Sequence, residues 1–92
     1  MNWEIKSDRD DLSMLVALFG EEMRQKLRKK LEQGYKYWND ASDDHVVEDL
    51  RDKLIDHVER YKKGDPKQLV DIANLAAMLW FHEVFLLTSK TS

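Results

Sequence analysis

The sequence predicts an all-α protein that forms a small bundle of three main helices. Only one proline and three glycines occur among its 92 residues, which are too few turn residues for an all-β fold of short strands. Apolar residues recur instead at the three- and four-residue spacing of helices. A chain of this length makes one domain. We expect it to span residues 1–92, with residues 1–9 as an N-terminal extension.

The first helix is predicted over residues 10–33. Asp10 or Asp11 offers a cap for its N-terminus, and Gly34 ends it, as a glycine just past a helix terminus commonly does. The early turns of this helix carry apolar residues on two faces, and the later turns carry them on one. These apolar positions are Leu12, Met14, Leu15, Val16, Leu18, Phe19, Met23, Leu27 and Leu31.

The second helix is predicted over residues 43–62, with Ser42 or Asp43 as its cap. Its apolar side includes Leu50, Leu54 and His57. Acidic residues at three- and four-residue spacing occupy the opposite side: Asp49, Asp52, Asp56 and Glu59. Carboxylates at this spacing offer the oxygen ligands that Mg²⁺ takes in proteins. The alternative is an ordinary solvated helix face.

The third helix is predicted over residues 66–88. The segment KKGDP precedes it, in which Gly64 ends the second helix and Asp65 and Pro66 start the third. Apolar residues occur at every angle around this helix, which is typical of a helix buried on all sides or crossing a membrane. Its longest uncharged run, residues 72–81, is too short to cross a membrane. Two other helices cannot cover every face of a third, so we expect a homodimer or homotetramer.

Three polar residues interrupt this apolar helix. Asp71 and Asn74 lie on one side with His82, and a charge in such a setting is costly unless it is paired or bound to a cation. Either they form a site that faces a cleft, or Asp71 pairs with a lysine or interacts with the positive end of the helix dipole. In the second case His82 makes a hydrogen bond at an interface. His57 is either a core histidine or a partner of Asp71 or His82.

Composition excludes several classes of function. The net charge is −3, and the only basic run, Arg24–Lys30, is flanked by glutamates, so we expect no nucleic-acid partner. The chain has no cysteine, which excludes disulfides and cysteine-based zinc sites. The N-terminal residues lack the basic and apolar parts of a signal peptide. We therefore expect a cytoplasmic protein without a membrane partner.

A glycine–aromatic connector ending at Trp38, an acidic helix, and GDP leading into DIANLAAMLW follow one another in this chain. This order resembles the MazG-like all-α nucleotide pyrophosphohydrolases. The resemblance covers roughly residues 19–82 and implies a dimer or tetramer that cleaves a nucleoside triphosphate with Mg²⁺.

The family's EExxE segment corresponds to residues 52–56 and its ExxD segment to residues 68–71. The resemblance therefore implies Asp52, Asp56 and Asp71 as metal ligands. Lys53 and Gln68 depart from the family pattern, and the cation of Lys53 opposes metal binding. An alignment shifted by one helical turn offers Glu48, Asp49 and Asp52 instead.

On the nucleotide side of the implied site, Trp38 would stack on the base, and Asn74 and Lys53 would lie near the nucleotide. No residue is assigned a catalytic role. Two functions follow from the sequence. One is a MazG-like nucleotide-binding protein, active as a Mg²⁺-dependent pyrophosphohydrolase if its degenerate site still works. The other is a catalytically inactive helical protein that serves assembly or partner binding.

Overall fold

The computed structural model of the chain describes residues 8–34 and 38–87. Helix α1 spans Asp8–Glu32, α2 spans Asp44–Lys62 and α3 spans Gln68–Trp80, and a π-helical turn at Phe81–Phe85 extends α3. The described residues contain no strand, so the predicted all-α bundle of three helices is confirmed. Of the extension predicted at residues 1–9, residues 8 and 9 belong to α1, which begins two residues earlier than predicted. Residues 1–7, the connector residues Tyr35 and Tyr37, and the predicted helix end at residue 88 lie outside the described residues.

The helices end where the local chemistry requires it. Gly34 and Gly64 have φ angles of 87° and 107°, the left-handed region that glycine adopts at little cost. Asp43 caps α2 by accepting a hydrogen bond from the backbone N–H of His45. Helix α3 begins two residues later than predicted, because residues 65–68 form a turn in which Asp65 accepts from the N–H of Lys67.

Helices α2 and α3 form an antiparallel hairpin that contains the core. At the start of α3, Gln68 forms a hydrogen bond with His57 in the second half of α2. Beyond the end of α3, Glu83 forms a hydrogen bond with Arg51 in the first half of α2. Between these contacts lies a cluster of four buried apolar side chains, and Leu27, Trp38, Val46, Val47 and Leu54 pack against it. The four buried side chains are Leu50, Leu75, Met78 and Leu79.

Among the described side chains, those of α1 that are partly buried against α3 lie in its second half. Met23, Lys26 and Leu27 are partly buried at this contact, whereas every residue from 12 to 19 is exposed. The last turns of α3 are also uncovered on one side, where Trp80 and Phe85 are about half exposed. Within a single chain, α3 is therefore not buried on all sides. None of the described helices is both long enough and apolar enough to cross a membrane.

Candidate functional site

The three carboxylates implied as metal ligands lie in different surroundings. Asp71 is buried between helices, with 6% of its surface exposed, while Asp52 and Asp56 are exposed on α2. Asp52 follows the buried Leu50 by two residues, which places it about 160° around the helix from the core. Asp56 forms an ion pair with Arg60 at 2.8 Å.

Among the residues described, no group of three or more histidine and acidic side chains could hold a metal ion. This applies to Asp52, Asp56 and Asp71, and equally to the shifted set of Glu48, Asp49 and Asp52. A hard cation needs several oxygen ligands at one point. The donor sets that the resemblance implied therefore do not fit a Mg²⁺ site in this arrangement.

Asp71 instead has a lysine and a histidine as neighbours, one on each adjacent helix. Its Oδ2 lies 3.2 Å from Nζ of Lys26 on α1 and 3.9 Å from Nδ1 of His57 on α2. The sequence left open whether Asp71 pairs with a lysine or contacts His57, and the structure contains both contacts. Oδ1 of Asp71 is buried and accepts no hydrogen bond within the described part of the chain. Asp71 thus sits where all three helices meet.

A chain of hydrogen bonds accounts for the glutamine at position 68, where the family pattern has a glutamate. Nδ1–H of His57 donates to Oε1 of Gln68, and Nε2 of Gln68 donates to Asp65 at 2.9 Å. The hydrogen bond from Gln68, followed by that from the backbone N–H of Lys67, lowers the pKa of the Asp65 carboxyl from its usual value of 3.8. A glutamate at position 68 could accept from His57 but, when ionised, could not donate to Asp65. This chain of bonds therefore requires an amide.

The three residues expected near a nucleotide are only partly brought together. Trp38 and Asn74 line one pocket between the second half of α1 and α3. Lys53 does not line it, because it lies on the outer surface of α2 and pairs with Asp49 at 2.9 Å. The pocket has a volume of about 270 Å³. Its remaining walls are apolar and consist of Met23, Leu27, Leu31, Ala77 and Met78.

Asn74 is the most buried polar residue of this pocket, with 2% of its surface exposed. Its Nδ2 donates to the backbone carbonyl of Met23 at 3.3 Å, which joins α3 to α1. Its Oδ1 is buried and has no hydrogen-bond partner among the described residues. A buried carbonyl oxygen without a partner costs about 1–3 kcal/mol.

His82 does not line this pocket but binds the backbone of Trp38, which does. It is buried, and its Nε2 donates to the backbone carbonyl of Trp38. The neighbouring Phe81 packs edge-on against the Trp38 ring, with centroids 5.3 Å apart. The π-helical turn that begins at Phe81 thus fixes the position of Trp38 through both residues. The role of His82 here is to position Trp38 within the chain.

Two groups in this region were not singled out by the sequence: the ammonium of Lys26 and the backbone carbonyl of Met23. Lys26 belongs to the basic run Arg24–Lys30, which reads as a solvated face. A signal was nevertheless present. Lys26 lies at positions i+3 and i−1 from the apolar residues Met23 and Leu27, which places it beside the stripe that faces α3.

No family model matches the chain, and no curated protein or solved structure matches it either. The class that the fold defines is a small all-α bundle with a partly buried interhelical ion pair and an apolar pocket. The MazG-like resemblance remains a prediction from the sequence. Functional inference therefore depends on the surfaces and side chains described above.

Proposed function

We propose that the chain is a non-catalytic helical assembly protein, which binds a second copy of itself through the first half of α1. The observation that carries this proposal is the apolar segment, which we define as residues 12–19. Its six large apolar side chains are all exposed, from 38% for Phe19 to 70% for Val16. They are Leu12, Met14, Leu15, Val16, Leu18 and Phe19.

The area of the apolar segment suits an interface between chains. Six side chains of this size, about half exposed, present on the order of 600 Å² of apolar surface. Spread over two faces of the helix, this total matches the size of the largest apolar patch on a typical monomer, and it approaches the roughly 800 Å² that each partner contributes to a standard interface. Leaving it in water costs about 25 cal/mol for each Å², so burial favours association.

The chemistry of the apolar segment favours a second copy as the occupant. No charged residue occurs between Leu12 and Gly20, so the segment offers nothing for a partner of opposite charge to recognise. Two identical uncharged segments meet without repulsion at their centre, and a two-fold axis makes one patch complementary to itself. Apolar residues lie on both faces of these turns, and Trp80 and Phe85 are exposed elsewhere. These additional surfaces support a tetramer as well as a dimer.

The acidic residues give less support to the competing hydrolase. Asp71 is already balanced by Lys26, and Asp52 and Asp56 project from the outer side of α2. A Mg²⁺–triphosphate complex needs carboxylates that converge on the metal. The non-catalytic function requires no such convergence.

Sedimentation equilibrium at about 1–100 μM, a range that covers ordinary homo-oligomer affinities, tests the proposal. We expect a mass of at least twice the 11.0 kDa of one chain. We expect Val16→Lys to weaken association by at least about tenfold, because it places a charge in the buried patch. Ile55→Lys is the matched control, since Ile55 is 60% exposed on α2 and lies outside the apolar segment.

A wild-type protein that stays monomeric throughout this range contradicts the proposal. Equal weakening by Val16→Lys and Ile55→Lys contradicts the choice of surface. Circular dichroism of both variants shows whether the helices remain folded. Release of pyrophosphate from a nucleoside triphosphate in the presence of Mg²⁺ would establish the competing function instead.

A further inference from the structure

Another pocket lies where the start of α2 meets the π-helical turn that follows α3, and we call it the acidic pocket. It shares no lining residue with the apolar segment or with the pocket beside Trp38, and its volume is about 250 Å³. Among the described residues, no lysine or arginine lines it. Its polar lining residues are Asp40, Asp43, Asp44 and His82.

The charge of the acidic pocket is unbalanced. Its three aspartates form no ion pair with any other residue that the structure describes. Hydrogen bonds from Ser42 and, to a smaller degree, the nearby His82 lower the pKa of the Asp40 carboxyl from its usual value of 3.8. The N-terminus of α2 contributes only about half an elementary charge of the opposite sign. The acidic pocket therefore favours a cation.

The aspartates keep free acceptor atoms. Oδ1 of Asp43 accepts from the backbone N–H of His45, and Oδ1 of Asp40 accepts from Ser42. The Oδ2 atoms of both residues, and both carboxylate oxygens of Asp44, accept no hydrogen bond within residues 8–34 and 38–87. An ammonium group carries three N–H donors and no acceptor, so it matches this set.

His82 adds an acceptor that does not depend on the aspartates. Only 8% of its surface is exposed. Its Nε2–H donates to the carbonyl of Trp38, and a carbonyl can only accept, so Nδ1 of the neutral ring is an acceptor. Nδ1 has no partner in the described part of the chain, and it is not one of the enclosed polar atoms that lack one. The buried ring thus offers an accessible lone pair to the acidic pocket, which it lines.

The spacing of these acceptors favours an organic cation over a metal ion. No group of three or more described acidic and histidine side chains converges closely enough to hold a metal. An ammonium group reaches its acceptors at about 2.7–3.2 Å, whereas Mg²⁺ requires about 2.0–2.1 Å. The volume exceeds the roughly 150 Å³ of a cavity that binds benzene, and Val47 and Leu86 supply apolar walls. The acidic pocket therefore has room for a short aliphatic stem.

We propose that the acidic pocket binds a primary aliphatic ammonium ion. Its N–H groups donate to the three aspartates and to Nδ1 of His82, and its stem packs on Val47 and Leu86. The carboxylates supply attraction, and the fixed Nδ1 supplies the position of the ammonium group. This inference does not depend on the proposed assembly function.

The probes are n-butylammonium and 1-butanol, which have chains of equal length and differ in charge at neutral pH. Binding is measured by NMR titration of the backbone amide signals of residues 40–47 and of the ¹⁵N signals of the His82 ring. We expect n-butylammonium to bind at least about tenfold more tightly than 1-butanol, because several favourable charge contacts amount to that factor. It should also shift the Nδ1 signal of His82. Raising NaCl from about 0.02 to 0.5 M should weaken binding several-fold.

Two aspartates of α2 provide a matched pair for location. Asp44 lines the acidic pocket, whereas Asp52 lies on the exposed outer side of the same helix and does not. Asp44→Asn should weaken n-butylammonium binding by about threefold or more, since it removes one charge contact. Asp52→Asn should leave it unchanged. Circular dichroism checks that both variants fold.

A further variant tests the source of the ammonium group. Lys90 follows Leu87 by three residues in the sequence, and Lys90→Met removes its charge. We expect n-butylammonium to bind this variant and the wild-type protein equally. A gain of about tenfold or more in Lys90→Met would mean that the chain's own lysine competes for the acidic pocket, which would overturn an external ligand.

Other results would also overturn the proposal. One is that n-butylammonium binds no more tightly than 1-butanol. A second is that Asp44→Asn and Asp52→Asn weaken binding equally, which places the probe elsewhere. A third is that the Nδ1 signal of His82 does not respond while the backbone signals do, which removes the role of this ring. Tighter binding of Mg²⁺ than of n-butylammonium, seen in the same signals, would assign the acidic pocket to a metal ion instead.

Discussion

The α2–α3 hairpin and the first half of α1 differ in how completely each buries its apolar residues. In the hairpin, Leu50 is 1% exposed, and Leu75, Met78 and Leu79 are buried around it. In the first half of α1, large side chains such as Leu15 and Val16 are at least half exposed. Both regions are helical, and both carry an apolar pattern. One region completes its core within the chain, and the other does not.

This difference shows what an amphipathic pattern determines. Helical spacing of apolar residues establishes which face avoids water, but it does not establish what covers that face. For α2 the cover is α3, which follows after a five-residue connection at residues 63–67. For the first half of α1 no other described element lies over it. Most helix stability in proteins comes from packing. A helical segment that is not packed therefore depends more on the intrinsic helix propensity of its residues than a packed one does.

The largest expected effect tests this contrast directly. Leu50→Ala should lower the free energy of unfolding by about 3 kcal/mol, because it removes buried methyl groups and leaves a cavity. Leu15→Ala should change it by less than about 0.5 kcal/mol, as exposed substitutions usually do. Both are measured by urea unfolding in the Val16→Lys background, so that assembly does not contribute. Equal losses would mean that the first half of α1 is packed as tightly as the hairpin.

A smaller effect is expected at the junction of the two regions, where Lys26 meets Asp71. Lys26→Met leaves the carboxylate of Asp71 buried without its nearest cation. We expect a loss of about 1–2 kcal/mol, which is less than for a fully buried pair, because the Lys26 side chain is 41% exposed. The measurement is again urea unfolding.

The matched control for this junction is Lys53→Met, which removes the exposed pair with Asp49 and should cost less than about 0.5 kcal/mol. Adding Asp71→Asn to Lys26→Met should recover part of the loss, because it removes the unpaired charge. Equal losses from Lys26→Met and Lys53→Met would show that the partly buried pair contributes no more than a surface pair.

The smallest expected effect has the opposite sign and concerns the propensity of α1. Gly20 lies inside α1, and a Cβ added there meets nothing within 4 Å. Gly20→Ala should therefore stabilise the protein by about 0.5–1 kcal/mol. Gly64→Ala is the contrasting control and should destabilise by about 1 kcal/mol, because φ at Gly64 is 107°. A loss of stability in Gly20→Ala would mean that α1 is limited by its surroundings rather than its propensity.

Much of the fold was predictable from local sequence. The cap at Asp43 and the stops at Gly34 and Gly64 depend on residues within one turn of the helix end. The burial of Asp71 and Asn74 was also predictable, because both lie in a strongly apolar helix. The π-helical turn at Phe81–Phe85 was not, since the predicted helix continues through it without any break in the sequence pattern.

The candidate site was less predictable, because it depends on how helices are rotated against each other. Asp52 and Asp56 were placed beside Asp71 by alignment to a family pattern, whereas their own helix directs them to solvent. The partner that Asp71 does have, Lys26, is 45 positions away in the chain and belongs to a run that looks solvated. Periodicity within one helix carries no information about such pairings.

The short connection between α2 and α3 also bears on the order in which the molecule folds. Closing a loop of a few residues costs little chain entropy, and the cost rises with the length of chain enclosed. The hairpin therefore gains its contacts at a low entropic cost. Helix α1 joins through contacts such as that between Met23 and Asn74, which enclose some fifty residues. We expect the hairpin to form first and α1 to dock afterwards, since local contacts form faster than distant ones.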